Sequence, residues 1–264
     1  MNETNQFNLM FEAFAEILRE EKDAKPAPRS LPAPALPNLS TVLAQITPLP
    51  QEALFLGMAM DGLPVLLNLR DPVPGPLLIA GDPSSGKTRI LQTIARATDL
   101  LHSPDHVQYV IVTTNPDEWK ALHGSENNAG IYHASKANTG ELLQSLVTWA
   151  HQNRGDGQSV LLLVDDLEAI AQLEAQIQQN LRWLLLRGPS RRVWTFATMN
   201  ANRAEDQKDW LGLFRTRLFA CVEDMENAKL LTGMSPLNHL SKGEEFAMRE
   251  GEQLLKFWLP AIVE

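Results

Sequence analysis

Apolar positions along this chain follow two spacings, and the alternation between them predicts the architecture. Mostly apolar runs of strand length occupy residues 77–81, 107–113, 159–164, 192–198 and 217–222, with a shorter one at 131–133. Between them, residues 89–98, 116–123, 139–153 and 167–186 read as helices, each laying an apolar face on a core. Gly188-Pro189 ends the longest of these. Strands alternating with helices predict an α/β fold, a mostly parallel sheet with helices on both faces. Residues 54–60 and 64–69 flank Asp61-Gly62, a hairpin signal, so a β-hairpin precedes the sheet. Residues 245–249 and 253–258 form a closing hairpin across Glu250-Gly251-Glu252. The chain shows no internal repeat.

Ahead of the first hairpin the pattern changes twice. Phe7, Met10, Phe11, Phe14, Ile17 and Leu18 form an apolar stripe, with Glu12, Glu16 and Arg19 off it, which predicts an amphipathic helix over residues 6–22. Pro26, Pro28, Pro32, Pro34, Pro37, Pro48 and Pro50 then mark an extended tether, in which residues 39–46 add a turn or two of helix. The expected divisions are a helix over 1–23, a linker over 24–52 and a compact domain over 53–264. The stripe either packs on its own domain or docks on a neighbouring subunit or partner protein. Long proline linkers decouple what they join, which favours docking.

Composition narrows the function classes. The chain has 264 residues, enough for one large α/β domain and an extension. Its formal net charge of -9 argues against coating nucleic acid through overall charge, and leaves room for a local basic rim. Cys221 is the only cysteine, so intrachain disulfides and cysteine-rich zinc sites are excluded. It lies in an apolar run, where a core role is expected. No stretch reaches the ~18 apolar residues of a membrane span, and the first residues lack the basic-then-apolar start of a signal peptide. A reduced, cytoplasmic protein is expected.

Chemistry concentrates between Gly81 and Thr88. Gly81-Asp82-Pro83-Ser84-Ser85-Gly86-Lys87-Thr88 is a complete G-x-x-x-x-G-K-[ST] phosphate-binding loop, with an apolar strand before it and a helix after. Glycines let the backbone wrap an anion, and the N–H groups of the loop and first helical turn then point at phosphate oxygens. Lys87 supplies a cation for the terminal phosphates, and the Thr88 hydroxyl is an oxygen ligand for Mg²⁺. The second half of the site is the apolar run ending in Asp165-Asp166. Ligands in such sheets bind beyond the carboxyl ends of the strands. Asp165 is expected to hold Mg²⁺ through water, and Asp166 to orient or deprotonate the attacking water. Against this stands a plain helix cap at the start of the next helix, which acids also favour. Asn200, after the strand ending at Thr198, is a candidate sensor of the terminal phosphate, or only a turn cap. Glu168 is held in reserve with it should Asp166 not serve. Arg187, Arg191 and Arg192 cluster before that strand, either as a solvated basic edge or as the source of an arginine finger reaching a neighbouring subunit.

These residues in this order resemble the FtsK/SpoIIIE family, within the FtsK–HerA branch of ring-forming P-loop ATPases. The likeness runs from about residue 53 to 260. It includes Leu56-Gly57 with Met60-Asp61-Gly62-Leu63-Pro64-Val65, the strand into Gly81, Thr195-Phe196-Ala197-Thr198, Arg215-Thr216-Arg217 and the closing segment after Leu240. The resemblance implies a P-loop NTPase fold of RecA/FtsK type, ATP and Mg²⁺ as ligands, a homo-oligomeric ring, and ATP hydrolysis coupled to translocation of double-stranded DNA. Departures are visible. Asp165-Asp166 stands where the family often has Asp-Glu, and Met199 where it has a sensor glutamine. An Asp-Asp pair also resembles ATPase domains of type VII secretion systems. That keeps open a motor acting on protein, and a slowly hydrolysing nucleotide switch that recruits partners through residues 6–22.

Overall fold

The computed structural model describes residues 36–153, 157–233, 236–250 and 253–262. The helix expected over residues 6–22 and residues 24–35 of the tether lie outside the described residues. The compact unit begins at Pro37. This places residues 37–52 in the domain, and not in the linker to which the proline spacing assigns them. Helix α1 (Leu39–Ile46) buries Leu39, Val42 and Leu43 against Phe55, Met58 and Ala97. Asn38 caps it, its Oδ1 accepting from the Ser40 N–H at 3.2 Å. The Leu39 N–H donates to the Ala261 carbonyl and the Ala261 N–H to the Pro37 carbonyl, both at 2.9 Å, so the segment is pinned to the far end of the chain. Three buried aliphatic side chains contribute roughly 5 kcal/mol before ordering costs. Proline content flags extension but carries no information about such contacts.

The remaining elements form one ten-stranded sheet, ordered β2-β1-β10-β9-β8-β3-β7-β6-β4-β5. Strands β3 (Leu77–Gly81), β4 (Val107–Thr113), β5 (Asn128–His133), β6 (Ser159–Asp165), β7 (Val193–Asn200) and β8 (Thr216–Phe219) are parallel. Hairpins β1 (Ala53–Ala59) with β2 (Pro64–Asn68), and β9 (Glu245–Glu250) with β10 (Gln253–Trp258), extend it antiparallel beyond β8. Alternate side chains serve opposite faces. Leu77 and Ile79 pack with Ile90, Leu91 and Ile94 of α2 (Lys87–Leu101), while Leu78 and Ala80 share a core with Leu143, Leu181 and Leu184. The last three belong to α3 (Ala137–Gln152) and α5 (Ala175–Arg187). Burial on both faces is why these strands read as continuous apolar runs instead of alternating ones.

Three predicted elements change form. The helix expected over 167–186 is two, α4 (Leu167–Ala171) and α5, separated at residues 172–174. Gln178 replaces the lost helical bonds, its Nε2 donating to the Ala171 and Leu173 carbonyls at 3.0 and 2.8 Å. No Gly or Pro marks the break. The helix expected over 116–123 is a 3-10 helix, Pro116–Leu122. The late strand pairs only over Thr216–Phe219, but its continuation still bonds the loop, the Asp82 N–H donating to the Cys221 carbonyl at 3.0 Å. Cys221 is buried, as expected of a core position. Short helices α6 (Lys208–Leu211) and α7 (Met225–Thr232) complete the unit. Among the described residues, no helix is long and apolar enough to cross a membrane.

The boundary at Pro37 has a measurable consequence. Leu43→Ala should lower unfolding free energy by about 3 kcal/mol in a denaturant titration, the scale of a buried Leu→Ala change. A chain starting at residue 37 should melt like the full chain, and one starting at 53 several degrees lower. Equal melting temperatures for the two truncations would remove α1 from the domain.

Candidate nucleotide-binding site

β3 delivers the chain into the phosphate loop between β7 and the strand end after β8, where side chains do not fit. A Cβ on Gly81 would lie 2.6 Å from Ser85 Oγ and 2.7 Å from Ala220 Cβ. Gly86 holds φ +94°, the left-handed region, and a Cβ there would lie 2.7 Å from Gly243 Cα. The loop is shaped by its own bonds. The Ser85 N–H donates to the Asp82 carbonyl at 3.2 Å, and the Gly243 N–H to the Ser85 carbonyl at 3.1 Å. Asp82 Oδ2 accepts the Glu223 N–H at 2.8 Å, fixing the start of the turn, while Pro83 and Ser84 are exposed at its tip. α2 begins with no side chain capping its first turn, which leaves its first N–H groups available to an anion. The buried Ser85 hydroxyl has no protein partner.

Lys87 and the β6 carboxylates complete the site. The Lys87 ammonium donates to the Asp82 carbonyl at 2.6 Å. Burial pulls its pKa down, opposed by surrounding carboxylates, of which Glu168 acts most strongly, then Asp165. Asp165 is 8% exposed at the end of β6. Thr88 Oγ1 lies 3.1 Å from both its carboxylate oxygens, and Thr198 Oγ1 donates to Oδ1 at 3.0 Å. Burial raises the Asp165 pKa, and the two hydroxyls oppose the shift. A buried carboxylate beside a hydroxyl is the hard oxygen pair that Mg²⁺ takes together with substrate phosphates, so Thr88 and Asp165 fit that ion. Among the described residues no group of three or more His, Cys, Asp or Glu side chains forms a self-sufficient metal cage.

Asp166 sits differently from Asp165. Its backbone is left-handed at φ 96°, and its N–H donates to Thr198 Oγ1 at 2.8 Å. Its Oδ1 accepts the Ala169 N–H at 3.1 Å, capping α4, and Oδ2 accepts from Thr114 Oγ1 at 3.4 Å. Glu168, on the first turn of α4, turns inward and is 8% exposed. Its Oε1 accepts the Asn200 N–H at 2.7 Å. Burial raises its pKa to about 7, with the Asn200 N–H pulling the other way and the Asp166 carboxylate adding to the rise. Asn200 pairs in register with Gly81, which puts the candidate sensor beside the loop's first residue. Its side chain makes no hydrogen bond among the described residues. Sequence spacing singled out Asp165 and Asp166 and kept Glu168 only in reserve. The missed signal is the turn of helix that α4 opens, which brings its second residue back over the strand ends. Thr198, read only as the end of a strand, is the hydroxyl that joins the two aspartates.

The arginines lie elsewhere. Arg187, Arg191 and Arg192 precede β7, whereas the loop and carboxylates follow their strands, so the cluster is at the opposite end of the sheet. Arg192 is committed within the chain, paired with Glu52 at 2.8 Å and largely buried. Arg191 reaches the Asn153 carbonyl at 3.4 Å, and Arg187 is exposed. Another arginine touches the site from behind. Arg89, next to Thr88, donates to the Gly243 carbonyl and, at 3.2 and 3.3 Å, to those of Leu259 and Pro260.

Two measurements probe this arrangement. Lys87→Ala should abolish ATP binding by calorimetry, because loop amides alone do not neutralise a triphosphate; unchanged affinity would remove the site. Thr198→Val leaves the Asp166 N–H without its acceptor and Asp165 with one donor fewer. It should cost about 1–3 kcal/mol of stability in denaturant, with Thr198→Ser near wild type.

No family model matches the sequence, and no curated protein sequence does. Solved structures do share the fold. The chain superimposes on EccC of Thermomonospora curvata (ATPases 2 and 3, in complex with a signal sequence peptide) with a TM-score of 0.70 at 16% identity, over 90% of this chain and 45% of that one. EssC of Geobacillus thermodenitrificans (ATPases 2 and 3) matches with a TM-score of 0.70 at 14% identity, over 90% and 48%. A structure described as an ATPase matches with a TM-score of 0.67 at 14% identity, over 88% and 96%. The chain thus spans less than half the length of the EccC and EssC chains. Its fold is that of a P-loop ATPase domain.

Proposed function

We propose that this chain is a Mg²⁺-dependent ATP hydrolase, working in an oligomer as one module of a motor. The observation that carries the reading is the joining of Thr88 to Asp165 across the phosphate loop, with Lys87 beside them. In this reading the loop amides and Lys87 hold the phosphates. Thr88 and Asp165 would hold Mg²⁺, which would supply positive charge to offset that of the phosphates. Thr198 keeps the Asp165 carboxylate aimed, and Asn200, beside Gly81, meets the terminal phosphate. Arg187 and Arg191 are the arginines left to reach a neighbouring subunit, since Arg192 is held by Glu52.

Of the two cargoes, a polypeptide is the reading we place first. The EccC structure holds a signal sequence peptide, and this chain carries a formal net charge of -9. Double-stranded DNA is the second reading, supported by the order of FtsK/SpoIIIE-like motifs. Residues 6–22 serve either as an interaction element, because an apolar stripe of that size needs a partner.

Steady-state ATPase rates with MgATP, with and without double-stranded DNA and across protein concentration, separate these readings. Turnover that rises with protein concentration and ignores DNA is the expected result. Stimulation by DNA of tenfold or more would reverse the order of cargoes, and a chain that binds ATP without turnover would leave only the nucleotide switch.

A further inference from the structure

We infer that Glu168, and not Asp166, is the carboxylate that receives the proton of the attacking water. The inference rests on the ATP-hydrolase reading above and assigns its base.

Asp166 is committed to the backbone. One carboxylate oxygen caps α4 through the Ala169 N–H, the other accepts from Thr114, and its left-handed backbone is pinned to Thr198. A carboxylate that starts a helix this way is spent on orphan N–H groups. Moving it toward a water would uncap the helix that carries Glu168.

Glu168 has the opposite character. One of its oxygens accepts the Asn200 N–H, and the second, Oε2, is sealed from solvent with no protein N–H or O–H donor, while the Asp166 carboxylate lies within reach of the Glu168 carboxyl. An oxygen of that kind is costly to leave unpaired unless a ligand or water completes it. Its placement says what completes it. Glu168 is the carboxylate that acts most strongly on Lys87, the side chain that meets the terminal phosphates, and it is tied to Asn200, paired across from Gly81. Burial, with the Asp166 carboxylate adding to it, raises its pKa and makes it a stronger base than an ordinary carboxylate. The side chain is longer than Asp166 by one methylene, and it makes up the reach that an Asp-Asp strand end lacks.

The step balances as follows. The water oxygen bonds to the terminal phosphorus while the bond from that phosphorus to the bridging oxygen breaks. The bridging oxygen keeps the electron pair and leaves on ADP, and the water proton moves to Glu168 Oε2 and departs with the phosphate product. The Asn200 N–H steadies the other carboxylate oxygen throughout.

Glu168→Gln keeps an acceptor for the Asn200 N–H and removes the base. It is compared with Asp166→Asn, which keeps a capping side chain, by ATP-analogue affinity, turnover and the nucleotide recovered on the protein after mixing with MgATP. Glu168→Gln should bind the analogue within about threefold of wild type, lose roughly 100-fold or more in turnover, the scale of a general base, and be recovered carrying ATP in place of ADP. Asp166→Asn should lose less than about tenfold. Wild-type turnover in Glu168→Gln, or the larger loss in Asp166→Asn, would overturn the inference alone. A wild-type chain that binds ATP and never hydrolyses it would overturn the hydrolase reading and the inference with it. If Glu168→Gln unfolds, Glu168→Asp takes its place, keeping the charge on a shorter arm. Reduced turnover with analogue binding retained supports the assignment, and unchanged turnover overturns it.

Discussion

Everything at the site depends on keeping one carboxylate charged inside the protein. Asp165 lies at the end of a strand buried along its whole length, where desolvation disfavours its ionised form. The fold answers with two hydroxyls from separate elements, Thr88 at the start of a helix and Thr198 near the end of the adjacent strand. Each can reach Asp165 only if β3, β7 and β6 lie side by side in parallel with their ends level. The sheet order and register meet that demand. The parallel core is thus a device for bringing three strand ends to one point, and the antiparallel hairpins beyond β8 are free of that constraint.

The carboxylates around Lys87 set a second condition. A buried ammonium is favoured only where negative charge surrounds it, and a triphosphate brings more of that charge than the loop amides can match. Acid side chains favour the charged lysine against its burial, and in the proposed reading phosphates would compete with them for it.

Much of this was legible in the sequence because it follows short-range rules. The apolar runs located β3, β4, β6 and β7, and the Asp61-Gly62 and Glu250-Gly251-Glu252 turns located both hairpins. The phosphate loop was recognisable from its contiguous residue pattern alone, although Gly81 and Gly86 also leave room for Ala220 and Gly243 from distant parts of the chain. What stayed hidden depends on contacts between residues distant in sequence. Leu39, Val42 and Leu43 read as part of a proline tether because their partners, Phe55, Met58 and Ala97, come later in the chain. The break between α4 and α5 is made by the Gln178 side chain reaching back to two carbonyls, which helical periodicity does not register. Glu168 stayed only in reserve because its inward turn follows a left-handed backbone at Asp166, which no propensity announces.

Arg89 gives the loop a mechanical connection. Its planar guanidinium grips three main-chain oxygens, from Gly243 ahead of β9 and from Leu259 and Pro260 after β10. Carbonyls yield little, so these bonds act as a stiff strut between the base of α2 and both ends of the β9–β10 hairpin. Any rotation of α2 about its first turn is then carried to a hairpin on the far side of β8, away from the strands that hold the carboxylates. The strut ties the helix that follows the phosphate loop to a hairpin outside the half of the sheet that holds the carboxylates.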